Sequence, residues 1–201
     1  MNGFEKRKQR KKQNILNAAL QLFTDFGVQK VSIQEIAQKA QVSQVTIYNY
    51  FGSKDQLLYD TVHMFIHQRL ERFEGIVDHE NMDFKDKIQK LITDKKEDLL
   101  HINTDFLQSV LADQPEIQEL LTTFTENHTK PLLLKLMKQG RTTGYIHPDL
   151  SIETILFYVE MYFQAFQAMS DRAQQTNPHF GEELLHLFFY GLMGSKDEPL
   201  H

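Results

Sequence analysis

The 201-residue sequence contains no cysteine and no apolar run long enough to span a membrane or to form a signal peptide. Without cysteine the chain cannot form a disulfide framework, a thiolate nucleophile or a cysteine-ligated metal or iron-sulfur site, which fits a reducing compartment. Its 41% apolar content can fill a core, so disorder is not expected. We expect a soluble cytoplasmic protein with no membrane contact.

Positive charge is scarce overall but concentrated at one end. The net charge of −5 argues against a nucleic-acid partner, because a duplex presents a dense line of phosphates. Residues 1–60, however, carry a net +4, whereas the remainder carries −9. A basic head on an acidic body suits a protein that touches phosphates at one end only. The run EKRKQRKK at residues 5–12 has two open interpretations, phosphate contact and a solvated helix start.

The first part of the chain contains start and stop signals for short helices. Apolar residues recur at helical spacing over residues 15–26, and Gly27 supplies a C-terminal stop. Ser32 and Glu35 have the spacing of a capping box that opens a second helix. Ser43 is a candidate N-cap for a third helix, after a turn of only three residues.

The second and third helices together have the outline of a helix-turn-helix. On a helical wheel Ile47 and Phe51 face inward, while Val45 and Asn49 lie on the opposite side of the third helix. A helix-turn-helix places the N-terminal residues of its second helix at base edges in the major groove.

The stretch from about residue 14 to residue 58, and especially VSQVTIYNYFGSKDQL, resembles the DNA-binding domain of the tetracycline-repressor (TetR) family of bacterial transcriptional regulators. The resemblance implies base contacts from Gln44, Val45, Tyr48 and Asn49. It implies phosphate contacts from Thr46, Tyr50 and Lys54. Tyr48 and Tyr50 also have an interpretation as packing residues of a small three-helix core.

A long fourth helix over residues 54–78 is expected to connect a DNA-binding domain, residues 1–52, to an effector-binding and dimerisation domain, residues 53–201. Ser53 and Gln56 have capping-box spacing at its start. His63 and His67 lie four residues apart on this helix, a spacing that could bind a metal. Two histidines alone make a weak site, so we expect no metal and no cofactor.

The remaining sequence predicts further helices and an all-α fold of about nine helices. Pro115 suits the first turn of a helix, Pro131 should interrupt it, and HPDLS at 147–151 is a break. Residues 155–169 are apolar on nearly all sides, which indicates burial on most faces. We expect the last two helices, about 151–172 and 178–193, to form a homodimer through a four-helix bundle.

The resemblance implies a homodimeric regulator, usually a repressor, which a small-molecule effector releases from a palindromic double-stranded DNA operator. Seven apolar or aromatic residues could line the effector pocket: Phe106, Phe124, Phe157, Tyr158, Met161, Tyr162 and Phe166. Ordinary core or dimer contacts are the alternative for each of them.

Two other classes of protein stay open. Glu183 and His186 form an E-x-x-H pair of the kind used in di-iron bundles, and Asp98 with His101 is the nearest second copy. The two further glutamates of such a site have no clear candidates apart from Glu160, so we do not expect an enzyme. A helical interaction module that retains a helix-turn-helix is the other alternative.

Overall fold

The computed structural model describes residues 3–91, 106, 114–167, 183 and 187. These residues contain seven α-helices: α1 (Gly3–Phe26), α2 (Ile33–Lys39), α3 (Gln44–Phe51), α4 (Lys54–Val77), α5 (Pro115–Phe124), α6 (Lys130–Thr142) and α7 (Ile152–Gln167). Residues 84–91 are helical as well, and no strand occurs in the described ranges. The all-α prediction is confirmed, but the nine helices are not, since seven are counted and most of the predicted last helix lies outside these ranges. None of the described helices is long and apolar enough to cross a bilayer.

The helix ends in the first 60 residues follow from local sequence signals. Gly27 adopts φ 84° and its amide donates to the Phe23 carbonyl at 2.9 Å, which ends α1 as predicted. Ser32 and Glu35 form both halves of the predicted capping box at α2. The Ser43 hydroxyl accepts from the Thr46 amide, which confirms the predicted cap of α3.

The predicted capping box at the start of α4 forms only in part. The Gln56 backbone amide donates to the Ser53 hydroxyl at 3.0 Å. The second half of the box would need the Gln56 side-chain oxygen to accept from the Ser53 backbone amide. The Gln56 side chain is instead directed along the helix, where its amide nitrogen donates to Asp60 at 2.9 Å, one turn further on. A glutamine at this position can reach a carboxylate four residues ahead as easily as the helix start, so the spacing alone does not decide between them.

The chain divides into two compact units: Met1–Glu71 with Leu99–Thr125, and Arg72–Asp98 with Glu126–His201. Helix α4 contributes residues 54–71 to the first unit and 72–77 to the second. The core of the first unit is built from apolar residues of α1 to α4 together with Phe106 and Ile117. The division into domains at residues 52 and 53 stays a prediction.

In the second unit, a buried lysine holds the end of α4. The Lys87 ammonium, on a side chain only 6% exposed, donates to the Val77 carbonyl at 2.6 Å and to the Gln139 side-chain oxygen at 3.1 Å. The Gln139 amide nitrogen donates to the same Val77 carbonyl at 3.1 Å. Since the C-terminal end of a helix dipole is negative, a cation there is stabilising.

Pro115 and Pro131 both lie at helix starts, as their sequence positions predicted. Pro115 begins α5. Pro131 lies in the first turn of α6, after a π-helical turn at Thr125–Thr129 that interrupts the helical path. Gly144, at φ 74°, follows α6, and the Ser151 hydroxyl caps α7 by accepting from the Thr154 amide at 3.0 Å.

Candidate nucleic-acid interface

Helix α3 buries one side and exposes the other. Ile47 and Phe51 are buried in the core, whereas Gln44 and Asn49 are exposed. Val45 and Tyr48 are 67% and 49% exposed. The predicted base-contacting residues therefore share one accessible helical surface, and their contact with bases stays a prediction.

Both helices of the α2–α3 hairpin begin at a serine whose side chain caps the helix. The Glu35 carboxylate accepts from the Ser32 backbone amide and hydroxyl, each at 2.7 Å. These hydrogen bonds, mainly the backbone one, lower the pKa of Glu35 below its ordinary value, and the charge of Lys54 acts in the same direction. The ionised form of Glu35 therefore stabilises the start of α2.

Thr46 belongs to the cap of α3 as well as to the predicted phosphate contacts. Its hydroxyl lies 2.9 Å from the Ser43 hydroxyl, and either oxygen can be the donor. Because a hydroxyl has one donor and two acceptor positions, Thr46 keeps capacity for a further hydrogen bond.

Tyr50 packs against α1, so the structure gives it a packing role in addition to the predicted phosphate contact. Its ring is half-buried, and its hydroxyl donates to the Lys8 carbonyl at 3.4 Å, a long hydrogen bond. The ring also lies beside Phe51, with 6.2 Å between centroids.

Lys54 ties the start of α4 to the loop between α1 and α2. Its ammonium donates to the Val28 carbonyl at 2.8 Å across a separation of 26 residues. This contact was not predicted, because nothing local in the sequence signals it. An ammonium has three donors, so two remain for a phosphate.

A basic groove runs between α1 and the C-terminal half of α3. It has a volume of about 770 Å³ and is lined by Phe4, Glu5, Arg7, Lys8, Gln9, Lys11, Lys12, Asn49 and Tyr50. In the sequence alone this basic run had two interpretations, and none of its cations was predicted to contact DNA. The spacing of the basic residues could have predicted this groove. Four of them recur at i, i+1, i+4 and i+5 and therefore share a helix face: Arg7, Lys8, Lys11 and Lys12.

The residues predicted to line an effector pocket fall into different settings. Phe106 and Phe124 are buried in the first unit, where Phe106 meets Phe65 edge to face at 6.3 Å. In the second unit Phe157 and Met161 are exposed on α7, and the Tyr158 hydroxyl donates to the Leu187 carbonyl at 3.4 Å. Tyr162 and Phe166 belong to α7, but the structure describes only their backbone. A cavity of about 390 Å³ lies in the first unit, and none of the seven is among its described lining residues.

The two histidine rings on α4 contact each other, and one of them contacts a phenylalanine ring. The rings of His63 and His67 lie 4.4 Å apart, and His67 meets Phe124 edge to face at 4.9 Å. Within the described residues there is no group of three or more potential metal ligands. Glu183 is described and exposed, but its predicted di-iron partners His186, Asp98 and His101 lie outside the described residues.

Comparison with known sequences matches residues 15–60 to the family described as bacterial regulatory proteins, tetR family. The chain is 30% identical over 164 residues to the HTH-type transcriptional regulator YvdT of Bacillus subtilis, covering 78% of this chain and 82% of YvdT. It is 22% identical over 152 residues to the HTH-type transcriptional repressor KstR2 of Mycobacterium tuberculosis, covering 72% and 74%.

Among solved structures, the chain resembles the transcriptional regulator FadR of Bacillus subtilis in complex with stearoyl-CoA. The TM-score is 0.62 at 20% identity, over 89% of this chain and 98% of FadR. At this identity the likeness shows the fold.

Proposed function

Because the chain belongs to the tetR family of bacterial regulatory proteins, we propose that it is a homodimeric, sequence-specific DNA-binding repressor that a small-molecule effector releases from its operator. The exposed surface of α3 carries the proposal. It presents a valine, a tyrosine and two amide side chains on a helix whose opposite side is locked into the core. The name of KstR2 as a repressor supports repression rather than activation.

In this proposal α3 is the recognition helix in the major groove. The amides of Gln44 and Asn49 suit the paired donor and acceptor of adenine, and the exposed Val45 suits the methyl group of thymine. Tyr48 completes the base-contacting surface. Phosphate contacts from Thr46, Tyr50 and Lys54 fix the position of the helix without carrying sequence information.

Dimerisation is supported by the apolar surface of the second unit. Ile152, Phe157 and Met161 on α7 and Leu187 near the end of the chain are all exposed apolar residues, and a twofold partner would cover them. Dimeric helix-turn-helix proteins place two recognition helices about one DNA turn apart. The operator is therefore a near-palindrome.

Release by an effector is supported by the way α4 is anchored. In the first unit Lys54, at the start of α4, donates a hydrogen bond to the Val28 carbonyl. In the second unit Val77, at the end of α4, accepts a hydrogen bond from the Lys87 ammonium. A ligand that prefers one position of α4 favours one spacing of the recognition helices over the other. It shifts the equilibrium between these two states only as far as its affinities for them differ. FadR was solved with stearoyl-CoA, whose acyl chain is apolar, and this supports an effector with an apolar part. The seven predicted aromatic and methionine residues are the candidates to contact that part.

Two substitutions test the docking. Tyr48→Ala should weaken operator binding by about 1–3 kcal/mol and relax the sequence preference. Lys54→Ala should weaken binding to all sequences alike and reduce the slope of log affinity against log salt concentration by about one for each subunit of the dimer. The measurement is footprinting and salt-controlled titration on the DNA upstream of the gene. Lys138→Ala, which removes an exposed lysine from α6, is the control and should bind like the wild type.

The outcome also separates the proposal from its alternatives. If the wild-type protein shows no sequence preference on this DNA at controlled salt, the regulator assignment is lost and an interaction module is favoured. If the wild type binds with preference but both variants bind equally well, the assignment of α3 as recognition helix is wrong.

A further inference from the structure

The first three turns of α1 carry a charge pattern that folding does not require. Lys6, Arg7, Lys8, Arg10, Lys11 and Lys12 fall within seven positions of one helix. They place like charges four residues apart in three pairs, each of which destabilises an isolated helix by about 0.2–0.5 kcal/mol. They also lie near the positive end of the helix dipole. An anionic partner bound here would reduce the repulsion between these like charges, and this would favour its binding.

Most of these cations are available to such a partner. All six residues are exposed or half-buried. Within the described part of the chain, Lys12 alone among them has a salt bridge, at 2.7 Å to Asp60 on α4. Its ammonium also lies 5.5 Å from the centre of the Phe51 ring. Lys12 therefore holds α1 in place, and its neighbours remain accessible.

The cations are distributed unequally between two sides of α1. Arg7, Lys8 and Lys11 line the groove against α3, whereas Lys6 and Arg10 are not among its lining residues. The opposite wall of the groove includes Asn49 and Tyr50, which directly follow Tyr48 on the recognition helix. The groove is thus continuous with the proposed base-contacting surface.

We propose that this groove binds the sugar-phosphate backbone of the operator beside the base pairs contacted by α3, with Arg7, Lys8 and Lys11 as phosphate contacts. The inference rests on the proposed function and extends the DNA-contacting surface from the helix-turn-helix to the first three turns of α1. Arg7 and Lys11 are separated by a rise of about 6 Å along the helix, so they contact successive positions along the strand.

The groove is formed before DNA binds. The hydrogen bond from Tyr50 to the Lys8 carbonyl joins α1 to α3, and the salt bridge from Lys12 to Asp60 joins α1 to α4. Little rearrangement is therefore needed on binding, which preserves affinity. Tyr50 acts here as a positioning residue as well as a phosphate contact.

Two double variants with identical changes in composition and charge test the proposal. Arg7→Gln with Lys11→Gln removes two groove cations, and Lys6→Gln with Arg10→Gln removes two cations from the other side of the same turns. Each double variant deletes one like-charge pair four residues apart. The groove variant also deletes two pairs three residues apart, whereas the other variant deletes one, so their effects on helix stability differ by a single pair, about 0.2–0.5 kcal/mol. Affinity for the footprinted operator is measured as a function of salt concentration and of the length of flanking DNA.

The groove variant should lose about tenfold or more in affinity near 0.15 M salt, and its salt slope should fall by about 0.9 for each cation removed. Base preference should be unchanged, and trimming the flanking base pairs should remove its difference from the wild type. The other double variant should keep the slope within about one unit of the wild type. If the double groove variant does not fold, Lys11→Gln and Lys6→Gln give the same comparison singly.

An equal loss in both variants would mean that the basic run acts only through its long-range field, and the groove would not be a contact surface. An unchanged slope in the groove variant would also overturn the proposal. Either of these two results counts against the groove only if the wild-type protein prefers its operator over other DNA. A wild type without preference instead contradicts the proposed function, so the two failures are distinguishable.

Discussion

Gln41 adopts a left-handed backbone conformation, with φ 55°, in the turn between α2 and α3. Among the described residues it is the one residue other than glycine with positive φ. An L-residue is disfavoured there because its Cβ crowds the backbone. The turn fixes the direction in which α3 leaves α2, so this strain is located at the element that positions the proposed recognition helix.

Glycine at this position should relieve the strain. Gln41→Gly is expected to stabilise the fold by about 0.5–1 kcal/mol, because glycine tolerates positive φ. The matched change Gln38→Gly, at an exposed helical position of α2, should destabilise it by about the same amount. Thermal unfolding of both variants checks the prediction. A loss of stability in Gln41→Gly would show that the turn is held by contacts of the glutamine side chain.

The residues whose roles could be predicted from the sequence are those with local partners. Ser32, Ser43 and Gly27 act within four residues of their own position, and their caps are confirmed. Lys54 could be recognised as a candidate phosphate contact, but its hydrogen bond to Val28 spans 26 residues. A contact of that kind depends on how α1 packs against α4, which no short pattern in the sequence reports.

At the scale of elements, α4 matches its predicted span of 54–78 closely, yet the groups that anchor it could not be predicted. In the second unit Lys87 and Gln139 meet at the Val77 carbonyl, and Lys135 binds Asp78 at 2.6 Å. The sequence gives no reason to bury Lys87, since lysine is among the residues least often buried. Its burial follows from partners 10 and 52 residues away.

Two helical glycines should respond oppositely to the same substitution. In the second unit, a Cβ on Gly140 would lie 2.6 Å from the Phe84 ring and 2.7 Å from Ile146, both of which are buried. Gly140→Ala should therefore cost about 1–3 kcal/mol through overpacking. A Cβ on Gly75 of α4 meets nothing within 4 Å, so Gly75→Ala should stabilise by about 0.5–1 kcal/mol.

Urea denaturation of both alanine variants checks this pair. Equal stability of Gly140→Ala and the wild type would show that α6 can move away from the helical segment 84–91 at little cost. In that case the contact around Phe84 would be loose enough to permit the movement that the proposed effector release requires. A marked loss would instead identify this contact as rigid.

At the scale of the whole molecule, charge and apolar surface are separated along the chain. The basic residues concentrate in the first 60 positions, within an overall charge of −5, and the exposed apolar residues of α7 lie in the second unit. The all-α class could be predicted because helical periodicity and capping are local. The effector pocket could not be identified, because aromatic residues with helical spacing suit a core, a pocket and an interface equally.

The exposed apolar residues of α7 give the last prediction, which concerns assembly. Phe157 is 68% exposed in the single chain, and in the proposed dimer it is covered by the partner. Phe157→Asp would then bury an unpaired carboxylate, which costs several kcal/mol, and sedimentation at micromolar concentration should show a monomer with greatly weakened operator binding. Phe26→Asp, at an apolar residue 54% exposed in the first unit, is the control and should remain dimeric. A wild type that sediments as a monomer would exclude the dimer, whereas a dimeric Phe157→Asp would place the interface elsewhere on the chain.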